Sequence, residues 1–126
     1  MMSPSGLSLG SVFANRFEVL ELIGAGGMGT IYRTLDLHSR NQVALKLLTS
    51  SGTAQEAERF LREGRLLSEL RHHGIVGYVA HGQEGQGILY LAMEWLAGED
   101  LSKRLARGPL SIADTTALLV RVCEAL

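Results

Sequence analysis

The sequence predicts an α+β fold: a five-stranded antiparallel sheet carrying one major helix, with further helices after it. Two observations carry that expectation. The β-rich segments fall in the order strand-strand-strand-helix-strand-strand, and the links between neighbouring strands are short, which favours antiparallel pairing over a doubly wound parallel sheet. The segment after the third strand also opens on a helix-start signal.

The elements follow in order. Residues 1–15 are rich in Ser and Gly and read as a loose, flexible arm. Phe17–Ile23 is a first strand, followed by the glycine-rich Gly24–Gly29. Thr30–Leu37 is a second strand, with turn residues over Asp36–Asn41. Gln42–Thr49 is a third, largely buried strand, and Ser50–Thr53 a loop. Thr53–Leu70 is the major helix, because Thr53 followed by Glu56 three residues on fits a capping box. Ile75–His81 and Gly87–Trp95 are two more strands around the turn-like Gln83–Gln86. Leu101–Arg107 is a short helix, Gly108-Pro109 a stop, and Ser111–Leu126 a helix whose start is marked by Ser111 and Asp114.

Composition narrows the class. The 126 residues are 46% hydrophobic and 20% charged, an ordinary globular mix with enough apolar surface for a core. A net charge of -1 gives no footprint for a nucleic-acid partner. The single cysteine, Cys123, cannot form an internal disulfide, and its Leu/Val-rich surroundings suggest a packed thiol. The apolar stretch Gly87–Gly98 is too short to span a bilayer and carries Glu94. Met1-Met2-Ser3-Pro4 lacks the basic and apolar regions of a signal peptide. A cytoplasmic location is the expectation, with any membrane anchor lying beyond Leu126. The histidines show no Cys/His ligand spacing, so no metal site is read from them.

The segment Gly24-Ala25-Gly26-Gly27-Met28-Gly29 contains G-x-G-x-x-G. Glycines let backbone amides approach phosphates closely. A dinucleotide-binding reading needs a helix next, whereas Thr30-Ile31-Tyr32 favours a strand. A P-loop needs Lys where Thr30 stands. Two readings remain from the loop itself: a phosphate-covering loop between antiparallel strands, with apolar Ile31 two residues past the last glycine, and a glycine-rich hairpin with no ligand.

The chain has ten Arg and two Lys, so Lys46 within Val43-Ala44-Leu45-Lys46 stands out. Alternation puts Ala44 and Lys46 on one face and Val43, Leu45 and Leu47 on the other. A cation in an apolar strand is costly unless it meets an anion or reaches water at an edge. The major helix offers an anion. With Phe60 at zero, Leu66, Leu70 and Leu67 fall at about 240°, 280° and 340°, and Glu63 at about 300°, inside that apolar arc. Glu63 is therefore expected on the packed face and paired with Lys46; the alternative is a carboxylate reaching solvent at the helix edge.

Taken together, Gly24–Ile31, Val43–Lys46, Arg62-Glu63 and Met93-Glu94-Trp95-Leu96 resemble the N-lobe of bacterial eukaryotic-like (Hanks-type) serine/threonine protein kinases, over about residues 16–126. The resemblance implies a kinase N-lobe and hinge over 16–96 and the beginning of a C-lobe over 97–126. It implies that the loop Gly24, Ala25, Gly26, Gly27, Met28 and Gly29 covers the phosphates of ATP. Lys46 would contact the α- and β-phosphates and pair with Glu63. Ile23, Ile31 and Ala44 would pack on adenine, Met93 would be the gatekeeper, Glu94 and Leu96 would offer hinge backbone groups, and Asp100 would meet the ribose. ATP and a protein substrate are the implied partners. Gly64 departs from the family, which commonly has Ala there, and should cost the helix ~1 kcal/mol.

A complete kinase also needs H-R-D-x-x-x-x-N and D-F-G, which supply the base and the Mg2+ ligands. Asp36, Asp100 and Asp114 are the only aspartates, and none lies in such a motif. Any Mg2+ ligands are thus expected outside this sequence, and the 126 residues alone are expected to be inactive. Leu118, Leu119, Val122 and Leu126 would form an uncovered apolar face, as in part of a longer kinase. The alternative is a non-catalytic truncated pseudokinase or a nucleotide- or protein-binding module.

Overall fold

The structure is a computed structural model that describes residues 6–26, 29–48, 53–85 and 87–126. In chain order its elements are β1 (Val12–Phe13), β2 (Phe17–Gly26), β3 (Gly29–Asp36), β4 (Gln42–Leu48), α1 (Ala54–Glu69), β5 (Tyr78–Glu84), β6 (Ile88–Glu94), α2 (Leu101–Ala106) and α3 (Ile112–Ala125). One antiparallel sheet has the order β1-β2-β3-β4-β6-β5. The α+β class holds, and every predicted element is present within a few residues. The chain leaves β4, runs through α1 across β6, and enters β5 at the far edge.

The sixth strand is the main departure. Residues 6–15 are tied to the sheet, not loose. Phe13 and Phe17 pair across a three-residue connection; Ala14 and Asn15, at the centre of the turn that Arg16 N–H closes onto Phe13 O at 3.0 Å, both have positive φ, 55° and 56°, the pattern of a hairpin turn matched to sheet twist. The Leu7 N–H donates to the Tyr32 hydroxyl at 2.8 Å, and Gly10 N–H donates to Val19 O at 2.8 Å. The apolar driving group is Phe13, which is buried with its ring edge-on to Tyr90 at 5.4 Å.

The sheet buries apolar residues on both faces. Val43, Leu45 and Leu47 of β4 join Phe13, Phe17, Val19, Tyr32 and Ala92 in one core. Leu48, Leu89 and Leu91 meet Phe60 of α1 in the other. Helix α1 starts as its sequence requires: Thr53 Oγ1 accepts from Glu56 N–H and Glu56 Oε2 accepts from Thr53 N–H, each at 3.1 Å. Helix α3 buries none of its residues, and Leu119, Val122 and Leu126 are exposed. Cys123 is exposed as well, not packed as its neighbours suggested. No described helix is long and apolar enough to cross a membrane.

Asp36, at the end of β3, is buried and fully engaged. Arg16 grips it through Nε at 2.8 Å and Nη2 at 2.9 Å, a bidentate pair. His38 N–H and Ser39 Oγ donate to the same carboxylate at 3.0 Å each. The Arg16 hydrogen bonds, with those from His38 and Ser39, hold the Asp36 carboxyl well below the usual carboxylate range despite its burial. A carboxylate whose folded pKa is lowered adds stability that is complete above its unfolded pKa, ~4, and is lost as pH falls towards the folded value. Asp36→Asn should therefore lower the urea midpoint at pH 7, with a cost of about 2–4 kcal/mol. The gap to the unmodified protein should narrow as pH falls below ~4. A gap unchanged between pH 7 and pH 3 would show that the ionised carboxylate is not what stabilises this corner.

Candidate functional site

Cross-strand register brings most of the predicted residues together. Gly24 pairs with Ile31, Ile31 with Lys46, Lys46 with Leu91, and Leu91 with His81, so one row crosses β2, β3, β4, β6 and β5. A neighbouring row pairs Ala44 with Met93 and Met93 with Tyr78. Directly paired residues share a face, and so do residues two apart on a strand. Ile31, Ala44, Lys46 and Met93 therefore line one face of the sheet, the face that α1 covers in part. All four are partly exposed, in contrast to the fully enclosed Leu45 and Ala92 on the opposite face.

The glycine loop is a hairpin in which Ala25 pairs with Thr30 and Gly26 with Gly29. Gly27 and Met28, also expected in the site, lie outside the described residues. The remaining glycines differ in cause. Gly29 has φ 118°, and a Cβ there would sit 2.1 Å from the Leu47 carbonyl oxygen, so the fold itself demands glycine. At Gly24 and Gly26 a Cβ would meet nothing within 4 Å, and neither has positive φ. Nothing within the described chain requires glycine at those two positions. Ile23, beside a register shift between Leu22 and Gly24, is half-exposed at the loop's base.

Lys46 is mostly buried and meets Glu63 Oε2 at 3.4 Å, with its ammonium 5.8 Å from the centre of the Phe60 ring. The predicted pair is thus present, but not because Glu63 lies on a buried face. Glu63 is not within the packed face; its side chain is 44% exposed. The buried residues of α1 are Phe60 and Gly64, with Ala57 packed beside them, while Leu66 and Leu70 are exposed. The buried arc is centred roughly 100° from the one the leucines suggested. The helix seats through Gly64, whose missing side chain lets it close on β5, and Glu63 comes to its edge. From there the carboxylate reaches Lys46 while keeping contact with water. Such a pair, long and half-exposed, contributes at most ~1 kcal/mol.

At the end of β6, Glu94 N–H donates to Gly77 O at 2.8 Å, and Glu94 Oε1 accepts from Gly77 N–H at 2.7 Å. Leu96 lies just beyond, 62% exposed. Asp100 is the N-cap of α2, its Oδ1 accepting from Lys103 N–H at 2.7 Å. It is not drawn into the rows that hold Lys46 and Ala44. Sequence reasoning gave no role to Phe60, Tyr78 or His81, all of which touch the α1–sheet contact. The one available signal was Gly64 itself, a glycine inside an otherwise strong helix.

A partly open sheet face under a glycine hairpin, with a strand lysine reached by a helix glutamate, is the layout of a protein kinase small lobe. The chain belongs to that family: residues 17–126 match the protein kinase domain. Its relatives place it among the bacterial Hanks-type serine/threonine kinases. It is 38% identical over 128 residues to the serine/threonine-protein kinase pkn2 of Myxococcus xanthus, covering 100% of this chain and 15% of that protein. It is 36% identical over 108 residues to the DNA damage-responsive serine/threonine-protein kinase RqkA of Deinococcus radiodurans, covering 85% and 16%. Among solved structures, the Mycobacterium tuberculosis PknI kinase domain superposes with a TM-score of 0.81 at 26% identity, covering 95% of this chain and 49% of that one. The chain therefore spans about half of a solved kinase domain and less than a fifth of these curated relatives.

The two kinds of glycine should separate in experiment. Gly29→Ala is expected to lose about 2 kcal/mol or more in urea unfolding, because both its backbone and its space are unavailable to alanine. Gly24→Ala should stay within about 0.5 kcal/mol of the unmodified protein. Equal losses for the two variants would contradict the distinction.

Proposed function

We propose that residues 16–126 are the nucleotide-binding part of a protein kinase that transfers the γ-phosphoryl of ATP to Ser or Thr hydroxyls of proteins. One observation carries this reading. A single cross-strand row sets Gly24 and Ile31 beside Lys46, under a hairpin whose Gly24 and Gly26 leave space that the chain does not use. Backbone amides without a Cβ beside them can approach phosphate oxygens closely, and a lysine held at the same place supplies positive charge.

The kinase reading gives each residue a role. Lys46 would bind the α- and β-phosphates, kept extended by Glu63 on one side and the Phe60 ring below. Ile23, Ile31, Ala44 and Met93 would form the apolar walls for adenine. Glu94 already commits its N–H to Gly77, so its carbonyl is the hinge group left for the base, with a backbone group of Leu96 next to it. Asp100 spends one oxygen on its helix cap and would offer the other to the ribose. Mg2+ would shield the phosphate charge in the complete kinase, held by residues outside these 126.

The same reading makes these residues insufficient for catalysis, because orientation of ATP without a base or metal ligands leaves the transfer step unassisted. Two measurements test it. Lys46→Met in the full-length protein should lower phosphorylation of a protein substrate by at least ~100-fold. A normal turnover number in that variant would refute the role of Lys46. The 126-residue chain with Mg-ATP and a generic protein substrate should incorporate no phosphate, and measurable incorporation would overturn the claim that catalysis lies elsewhere.

A further inference from the structure

At Gly64 the backbone of α1 lies tight against β5. A Cβ built there would lie 2.9 Å from Cγ of His81, 3.0 Å from Cδ2 and 3.1 Å from Cβ. Carbon atoms pack at about 3.5–4.0 Å, so an alanine cannot be accommodated without movement. The backbone does not call for glycine, since Gly64 lies within a regular helix at negative φ. Alanine would be the better helix former by ~1 kcal/mol. The glycine is therefore there for space, and His81 fills that space.

His81 is not free to retreat. Its Nδ1 meets the Tyr78 hydroxyl at 2.6 Å, and the two rings pack edge to face at 5.5 Å. Tyr78 is itself packed against the cluster of Leu48, Phe60, Leu89 and Leu91. An added methyl at residue 64 would thus displace the helix more readily than the ring. The displacement has a defined consequence. His81 and Lys46 are in one cross-strand row with Leu91 between them, on the same sheet face. Gly64 meets the His81 end of that row, and its neighbour Glu63 meets the Lys46 end. The Lys46–Glu63 contact, already 3.4 Å and half-exposed, is the weaker of the two and would give first.

We infer that Gly64 and His81 are a matched pair of positioning residues that set how deeply α1 seats on β5, and through that depth hold Glu63 within reach of Lys46. This rests on the reading of Lys46 as a phosphate-binding residue. The matched contact itself does not, which allows the two to be tested apart.

The test uses the full-length protein and four variants: Gly64→Ala, His81→Ala, the double Gly64→Ala/His81→Ala, and Gly64→Ala combined with Glu63→Gln. Urea unfolding and calorimetric titration with Mg-ATP are measured on each. Gly64→Ala should weaken Mg-ATP binding about tenfold, and adding His81→Ala should restore it to within about twofold. In the Glu63→Gln background, Gly64→Ala should cause no further loss of affinity, an outcome that a purely structural role would not produce. Wild-type affinity in Gly64→Ala, no rescue by His81→Ala, or a full additional loss in the Glu63→Gln background would each overturn the inference. If Gly64→Ala fails to fold, the double variant decides: recovery of folding and affinity supports the pair, and failure refutes it. Should Lys46→Met bind Mg-ATP normally, the nucleotide reading fails. The matched contact would then stand or fall on the coupling between residues 64 and 81 in urea unfolding.

Discussion

Backbone hydrogen bonds between neighbouring strands decide which residues share a row, and one row runs without a break from Gly24 through Ile31, Lys46 and Leu91 to His81. Everything in the candidate site depends on that register. A slip of one residue in β4 would send Lys46 to the opposite face, among Phe13, Phe17 and Val19, and bring Leu45 to the helix side. Several contacts oppose such a slip. Gly29 lies against the Leu47 carbonyl with no room for a side chain, and the buried Thr34 hydroxyl donates to Val43 O at 3.0 Å. Arg16 and Asp36 fasten the start of β2 to the end of β3. These contacts are made away from the Lys46 side chain, yet they place the lysine.

The relation between α1 and the sheet reverses the apparent order of importance. The ion pair between Lys46 and Glu63 is the contact that draws the eye, but a half-exposed pair at 3.4 Å cannot hold a 16-residue helix in place. Burial of Phe60, with Ala57 and Gly64 closing on β5 and β6, supplies far more. Packing sets the helix, and the ion pair reports where it has been set. On the proposed reading, a weak pair suits a lysine that is oriented by Glu63 yet still has charge to offer a phosphate.

The fold was legible from the sequence to within a residue or two at most element boundaries, because its signals were local. Alternation in β4 put Lys46 and Ala44 on one face, and Thr53 with Glu56 marked the start of α1. The partnership of Lys46 and Glu63 was also legible, though for a partly mistaken reason. Counting leucines placed the buried arc towards Leu66 and Leu70, which are exposed. A leucine carries the same apolar signal on a buried face as on an open one, whereas Gly64 carries none, and its value lies in what it leaves out. The pairing of Gly64 with His81 is a contact between an absence and a ring on a distant strand, which no local pattern encodes. Strand β1 escaped for a related reason: Ala14-Asn15 lacks the Asn-Gly signature of a tight hairpin, and Val12-Phe13 is too short an apolar run to show alternation.

That short strand changes where the folding unit begins. The family match opens at Phe17, yet Leu7, Gly10 and Phe13 already belong to the sheet through their bonds to Tyr32 and Val19 and the edge-on contact with Tyr90. The segment works as a clasp over the face turned away from the glycine hairpin. A chain trimmed to the family boundary would strip the cover from Phe17, Val19 and Tyr90 while leaving every residue proposed to face the nucleotide untouched. Its melting temperature would fall although its site reads as complete. For this protein the natural cut lies upstream of Leu7, and a domain boundary drawn from resemblance runs through the middle of a core.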